Sequence, residues 1–148
     1  MISPEELRRF VHFSGLSDDC LKKIASISKE RQIQIGDRIF EEGNTATHFR
    51  LIKSGAVNIV YLLGDGREVV ADTLVRGDAL SWSALLDPYR LTASGIASKD
   101  GSIIEIEGES LREICKEDLN AGYRILEEVS KTLRSRLSAL RVQIAAQQ

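Results

Sequence analysis

A chain of 148 residues with 43% hydrophobic and 28% charged residues has the length and balance of one globular domain, able to bury about 70% of its unfolded surface. A net charge of -2 gives no whole-molecule attraction for phosphate backbones, which need clustered Lys and Arg, so direct DNA binding is not expected. Apolar runs such as Ile59 to Leu63 fall far short of the roughly 20 residues of a membrane helix. Pro4, Glu5 and Glu6 stand where a signal peptide would be basic and then apolar, so a cytoplasmic protein without membrane attachment is expected.

Ser3-Pro4-Glu5-Glu6 opens a first helix, with Ser3 as cap, Pro4 in the first turn and two acids at the positive dipole end. Leu7, Phe10 and Val11 supply its apolar stripe. Ser17 caps a second short helix carrying Leu21, Ile24, Ala25 and Ile27 at helical spacing. Cys20 and Cys115 lie far apart in apolar or helical patterns, which predicts buried free thiols rather than a disulfide or an iron-sulfur site.

From Arg31 the apolar period changes to two, through Ile33, Ile35, Ile39, Phe49, Leu51, Val57, Ile59, Tyr61, Val69 and Ala71, the pattern of half-buried antiparallel strands. Glycines at 36, 43, 55, 64, 66 and 77 punctuate these runs, and Gly64-Asp65-Gly66 is expected to supply the positive φ values of a tight hairpin. A further strand pair, Thr92 to Ala97 and Ser102 to Ile106, is expected across a turn at Lys99-Asp100-Gly101. Strands spaced in this way predict a mainly β fold with flanking helices: an antiparallel double-stranded β-roll, jelly-roll-like.

Leu111, Ile114 and Cys115 mark a short helix, and Asp118 to about Ala146 a long one without proline. Leu119, Leu126, Leu133 and Leu140 recur every seven residues, with Tyr123, Ser130, Leu137 and Ile144 four after each, the d and a positions of a heptad. A homodimer through this long C-terminal dimerisation helix is expected, with Leu119, Leu126, Leu133, Leu137, Leu140 and Ile144 in the seam; the alternative is a helix folded back on its own domain. Ile125 and Val129 widen the stripe where the helix leans on the roll. Residues 1–117 then form the helices and roll, and 118–148 the dimerisation helix of the same domain.

Taken together, this order of elements resembles the cyclic-nucleotide-binding domains of the bacterial cAMP-receptor and fumarate-nitrate-regulator transcription factors. Gly36-Asp37-Arg38-Ile39-Phe40-Glu41-Glu42-Gly43 is similar to the family's strand-turn signature, and Ile52-Lys53-Ser54-Gly55-Ala56-Val57 to its next. Asp65-Gly66-Arg67-Glu68 resembles the hairpin, and Gly77-Asp78 leads into Ala84-Leu85-Leu86 where the family has its phosphate-binding cassette. The resemblance spans about residues 5 to 146. It implies that a short cassette helix, a Glu on the ribose and an Arg on the cyclic phosphate would hold a nucleotide.

Here the sequence departs from the pattern. Ser81-Trp82-Ser83-Ala84 stands at the cassette, with Trp82 in the Glu position, and Leu91-Thr92-Ala93 puts Leu91 in the Arg position. The cassette implies a ligand site of Ser81, Trp82, Ser83, Ala84, Arg90, Thr92 and Ala93. Arg90 lies one residue from the Arg position, and a shift of one in an extended segment turns a side chain to the other face, so it is either an anion ligand or a solvated loop arginine. Trp82 either fills the emptied sugar site or stacks on a ligand. The family's base-recognition face, carried over by its Arg-x-Leu rhythm, falls near Arg136, Leu140 and Arg141.

No catalytic constellation is found. His12 and His48 lack acidic or cysteine neighbours at metal-ligand spacing, Ser81 and Ser83 lack an adjacent His, and Gly64-Asp65-Gly66 precedes a strand rather than a helix. A non-enzymatic sensor is expected, without metal or cofactor, binding an unknown small effector, with cyclic nucleotides bound weakly, and signalling through its helix to a protein partner. The alternative is a ligand-free dimeric interaction scaffold. With the sequence ending at Gln148, no helix-turn-helix is expected.

Overall fold

The computed structural model describes residues 1–147. Two short helices come first, α1 (Pro4–Arg8) and α2 (Asp18–Ser26). Each is capped as the sequence predicts: Ser3 accepts from the Glu6 N–H and Ser17 from the Cys20 N–H. At 5 residues α1 is too short to persist by its own hydrogen bonds. It is held by tertiary burial, with Leu7 fully buried and Phe10 and Phe13 buried in the turns that follow. Val11, expected on the same stripe, is 56% exposed, because the helix ends at Arg8 and the chain then turns away from helical periodicity.

Six antiparallel strands make the roll: β1 (Ser28–Ile33), β2 (Arg38–Phe40), β3 (His48–Leu62), β4 (Glu68–Val75), β5 (Ala79–Leu80) and β6 (Ser94–Glu107). They run in the order β1-β6-β3-β4, with β2 paired to β6 and β5 to β3. The backbone of the fold is the long β3–β6 pair, in register from His48 opposite Glu107 to Val60 opposite Ser94. Here the structure corrects the predicted hairpin between Thr92–Ala97 and Ser102–Ile106. Lys99-Asp100-Gly101 lies inside the single strand β6, and the register shifts between Ile52 and Val57 mark a bend rather than a reversal. Gly55 takes φ +87 beside the Asp100 carbonyl, and a Cβ on Gly101 would collide with the Ser54 carbonyl. The two glycines let the bent strands approach closely, a use of glycine that sequence alone does not distinguish from a turn.

The β3–β4 loop closes through Gly66 at φ +88, whereas Gly64 has no positive φ. This loop needs one left-handed residue, not two. Strict alternation also fails at Ile35, Tyr61 and Val69, which are exposed, Ile35 because it sits in the loop between β1 and β2. Phe49, Leu51, Ile52, Ile103, Ile104 and Ile106 of the roll belong to one buried core with Leu7, Phe13, Leu21 and Ile24 of the N-terminal segment, and Phe13 meets Phe49 edge-on at 6.1 Å. Each such side chain contributes roughly 1.5–3 kcal/mol of burial.

After β6, α3 (Gly108–Glu117) and α4 (Leu119–Ala146) follow, with Asp118 capping α4 through the Ala121 N–H. Ala121, Gly122, Ile125 and Val129 are buried, Gly122 against Cys115 of α3. On the other face Leu119, Leu126, Leu133, Leu137, Leu140 and Ile144 are exposed by 39% to 76%. Cys20 is buried and Cys115 half-buried, both free. Among the described residues no helix is long and apolar enough to cross a membrane.

Candidate functional site

Between the roll and α4 lies a pocket of about 150 Å³, roughly ten to fifteen times the ~10–15 Å³ that one water needs. Phe40 of β2, Ile59 and Tyr61 of β3, and Ala71 and Asp72 of β4 form its strand walls. Ser81, Trp82 and Ser83 line it from a short 3-10 turn (Trp82–Leu85), and Leu91, Thr92 and Ala93 from the segment before β6. Arg136, Ala139, Leu140 and Gln143 of α4 complete it. The structure thus brings together the two stretches singled out in the sequence as the cassette with Arg136 and Leu140 of α4, which the resemblance placed near the base-recognition face, and adds Ala139 and Gln143.

The cassette turn is anchored by a buried polar network. Ser81 takes a left-handed backbone, φ 52, which a residue with a Cβ adopts at a cost of roughly 1–2 kcal/mol. Its hydroxyl donates to the His48 carbonyl at 2.7 Å and accepts from Arg50 at 3.1 Å. Arg50 is 6% exposed. Burial pushes its guanidinium below the usual arginine range, opposed by Glu105, whose carboxylate accepts from Nε at 2.8 Å. Burial alone would raise the Glu105 carboxyl, but Arg50 and Arg31 outweigh it and hold the group below its ordinary value. From α3, Arg112 donates to the Ala84 carbonyl at 2.6 Å and covers the Tyr89 ring at 3.9 Å, so the cassette is tied to the helix that leads into α4.

Across the pocket, Arg136 reaches from α4 to pair with Asp72 on β4 and lies over the Trp82 ring at 5.3 Å. Its side chain is 23% exposed, and burial pushes its guanidinium down, with Tyr61 opposing. Its Nε–H has no hydrogen-bond partner among the described residues. Leu91 is 6% exposed and faces the pocket in the predicted place of a phosphate arginine.

Three of the predicted residues stand elsewhere. Arg90 is outside the lining, exposed, and donates to the Gly43 carbonyl at 3.1 Å, because the extended backbone that turns Leu91 inward turns its neighbour outward. Ala84 is fully buried beneath the turn rather than lining the pocket, and Arg141 is exposed and also absent from the lining. Sequence reasoning missed Asp72, Arg50, Glu105 and Arg112. Asp72 could have been found as a carboxylate one residue after Ala71 in a strand, whereas the others look like ordinary charged surface residues until their partners are known.

Comparison with known proteins places these features in context. The model of the family "Cyclic nucleotide-binding domain" matches residues 30–118. A solved candidate cyclic nucleotide-binding protein from Geobacter metallireducens GS-15 is 34% identical, over 93% of this chain and 99% of that one, at TM-score 0.82. A cyclic nucleotide-binding domain from Methylobacillus flagellatus KT has the same fold at TM-score 0.83 with 17% identity, covering 98% of this chain and 84% of that one. The sensor domain of the transcriptional regulator DNR from Pseudomonas aeruginosa superposes at TM-score 0.76 with 18% identity, over 90% of each chain. Curated proteins give no match.

Proposed function

Because the chain belongs to the cyclic nucleotide-binding domain family, we propose that it is a non-enzymatic regulatory module that binds a small effector in the roll pocket and signals through α4. The observation that carries this reading is the shared wall: an occupant touching Ser81, Trp82 and Ser83 also touches Arg136, Ala139, Leu140 and Gln143 of α4. Occupancy and helix pose are then linked, and an effector shifts whichever pose it contacts better. In this reading residues 1–117 sense and the helix of 118–148 reports. Two protomers pair through the exposed Leu119, Leu126, Leu133, Leu137, Leu140 and Ile144, whose heptad spacing suits a parallel seam. The Ser81 hydroxyl is engaged by the His48 carbonyl and Arg50, which leaves it no general base.

Cyclic nucleotides should bind weakly, since Trp82 and Leu91 stand where the two side-chain anchors would be. Hydrogen bonds to charged groups contribute roughly 1.5–3 kcal/mol each, so losing two lowers affinity by about 10²- to 10⁴-fold. Calorimetry with cAMP and cGMP, beside a thermal-shift screen of small anions, tests the reading. A ligand at a hundred times its Kd should stabilise the fold by about 2.7 kcal/mol. A cyclic-nucleotide Kd near or below about 10 μM would refute the weak-binding expectation. A second reading, the ligand-free dimeric scaffold, is favoured by the Arg136–Asp72 pair and the Trp82 stack closing the pocket from inside. A screen without any stabilising compound would select it.

A further inference from the structure

Among the residues lining the roll pocket, one cation and one anion occur, Arg136 and Asp72, and they are paired with each other. Much of the remaining surface is apolar or aromatic, with Phe40, Ile59, Leu91 and Leu140 around the Trp82 indole. A guanidinium presents a planar fork of donors that matches the two oxygens of a carboxylate. Asp72 engages Nη1, while the buried Nε–H has no acceptor among the described residues. The site therefore already holds one carboxylate and has a donor to spare. Asp72 is 45% exposed, and such a pair is weak, so returning its side chain to water reduces a competing ligand's affinity only ~2–5-fold.

Resting on the reading of this pocket as the effector site, we propose that its ligand is a small aromatic or apolar monocarboxylic acid, whose carboxylate replaces Asp72 on Arg136 while its body packs against Trp82, Leu91 and Leu140. The exchange is also the signal: it undoes the ion pair that ties α4 to β4 and substitutes a tie from α4 to the ligand. A cyclic phosphate is the poorer match, because Leu91 and Trp82 present apolar surface where its sugar-phosphate would need polar anchors.

Trp82 is the one tryptophan of the sequence, so tryptophan emission, excited selectively over tyrosine, reports on this pocket alone. The test titrates the whole chain with phenylacetate and benzoate, with the neutral amides phenylacetamide and benzamide, and with cAMP. The acids should change Trp82 emission saturably and bind ~10–100-fold more tightly than their amides, the span of one charge-assisted contact. Arg136→Gln should remove that preference, and Asp72→Asn should tighten the acids ~2–5-fold by removing the internal competitor. Amides binding as well as acids, or acids indifferent to Arg136→Gln, would overturn the carboxylate assignment and leave the effector reading standing. Binding of cAMP alone would do the same. Silence from every compound would overturn both.

Discussion

Replacing Ser81 with alanine and, separately, with glycine separates the two forces that hold the cassette turn. Both variants lose the hydroxyl that donates to His48 and accepts from Arg50. That leaves a buried guanidinium one acceptor short, a loss of roughly 1–3 kcal/mol. Alanine keeps the Cβ and with it the strain of φ 52, whereas glycine relieves roughly 1–2 kcal/mol. Alanine should therefore destabilise by about 2 kcal/mol and glycine by about 1 kcal/mol or less. For a chain of this size, at roughly 2–4 °C per kcal/mol, Tm should fall by about 4–8 °C for Ser81→Ala and by less than about 4 °C for Ser81→Gly. The assay is thermal unfolding followed by circular dichroism at one fixed protein concentration, because self-association would shift Tm by mass action. Equal losses in the two variants would refute the strain argument, and an unchanged alanine variant would refute the hydrogen-bond argument.

Light scattering at micromolar concentration should give twice the chain mass, and Leu133→Asp, which puts an unpaired charge in the seam, should return the monomer. A monomeric wild type would rule out the helix pairing. Trp82→Glu with Leu91→Arg should recover part of a ~10²–10⁴-fold deficit in cAMP affinity by calorimetry, and no gain would place the anchors elsewhere. Gly101→Ala forces a Cβ into the Ser54 carbonyl, so urea unfolding should show a loss on the order of several kcal/mol, and a neutral result would mean that the β3–β6 bend relaxes freely. Burial pushes His12 below its ordinary value of 6.5, with Glu128 and Asp78 opposing, and neither ring nitrogen has a hydrogen-bond partner among the described residues. The unfolded chain therefore takes up a proton that the folded one resists. The His12 contribution is complete above about pH 6.5 and is lost as pH falls below it, at up to ~1.4 kcal/mol per pH unit. His12→Leu should flatten that dependence in urea titrations from pH 7 to 5, and parallel curves would refute it.

Much of the local structure was legible because it depends on neighbours in sequence. Ser3 and Ser17 cap helices through N–H groups three residues ahead, and that signal needs no tertiary information. The split of α4 was legible for the same reason: Ile125 and Val129 are buried while Leu126 and Leu133 are exposed, as a helix with two apolar faces requires. Val11 and Gly64 misled because helix length and the number of left-handed residues in a loop are settled by what packs around them.

The sequence by itself determined most of the element types, since period follows from residue order alone, and its resemblance to the family implied Trp82 and Leu91 in the two anchor positions; it left open which way Arg90 turns, which only the structure answers. Only the tertiary structure decided that Lys99-Asp100-Gly101 bends one strand instead of joining two. A glycine that permits a positive φ and one that admits a neighbouring backbone look the same until the neighbour, here Ser54, is in place. Only it brought Arg136 onto Asp72 and Trp82, because a side chain 64 residues away along the chain becomes a partner through the packing of α4 on the roll and not through any local rule.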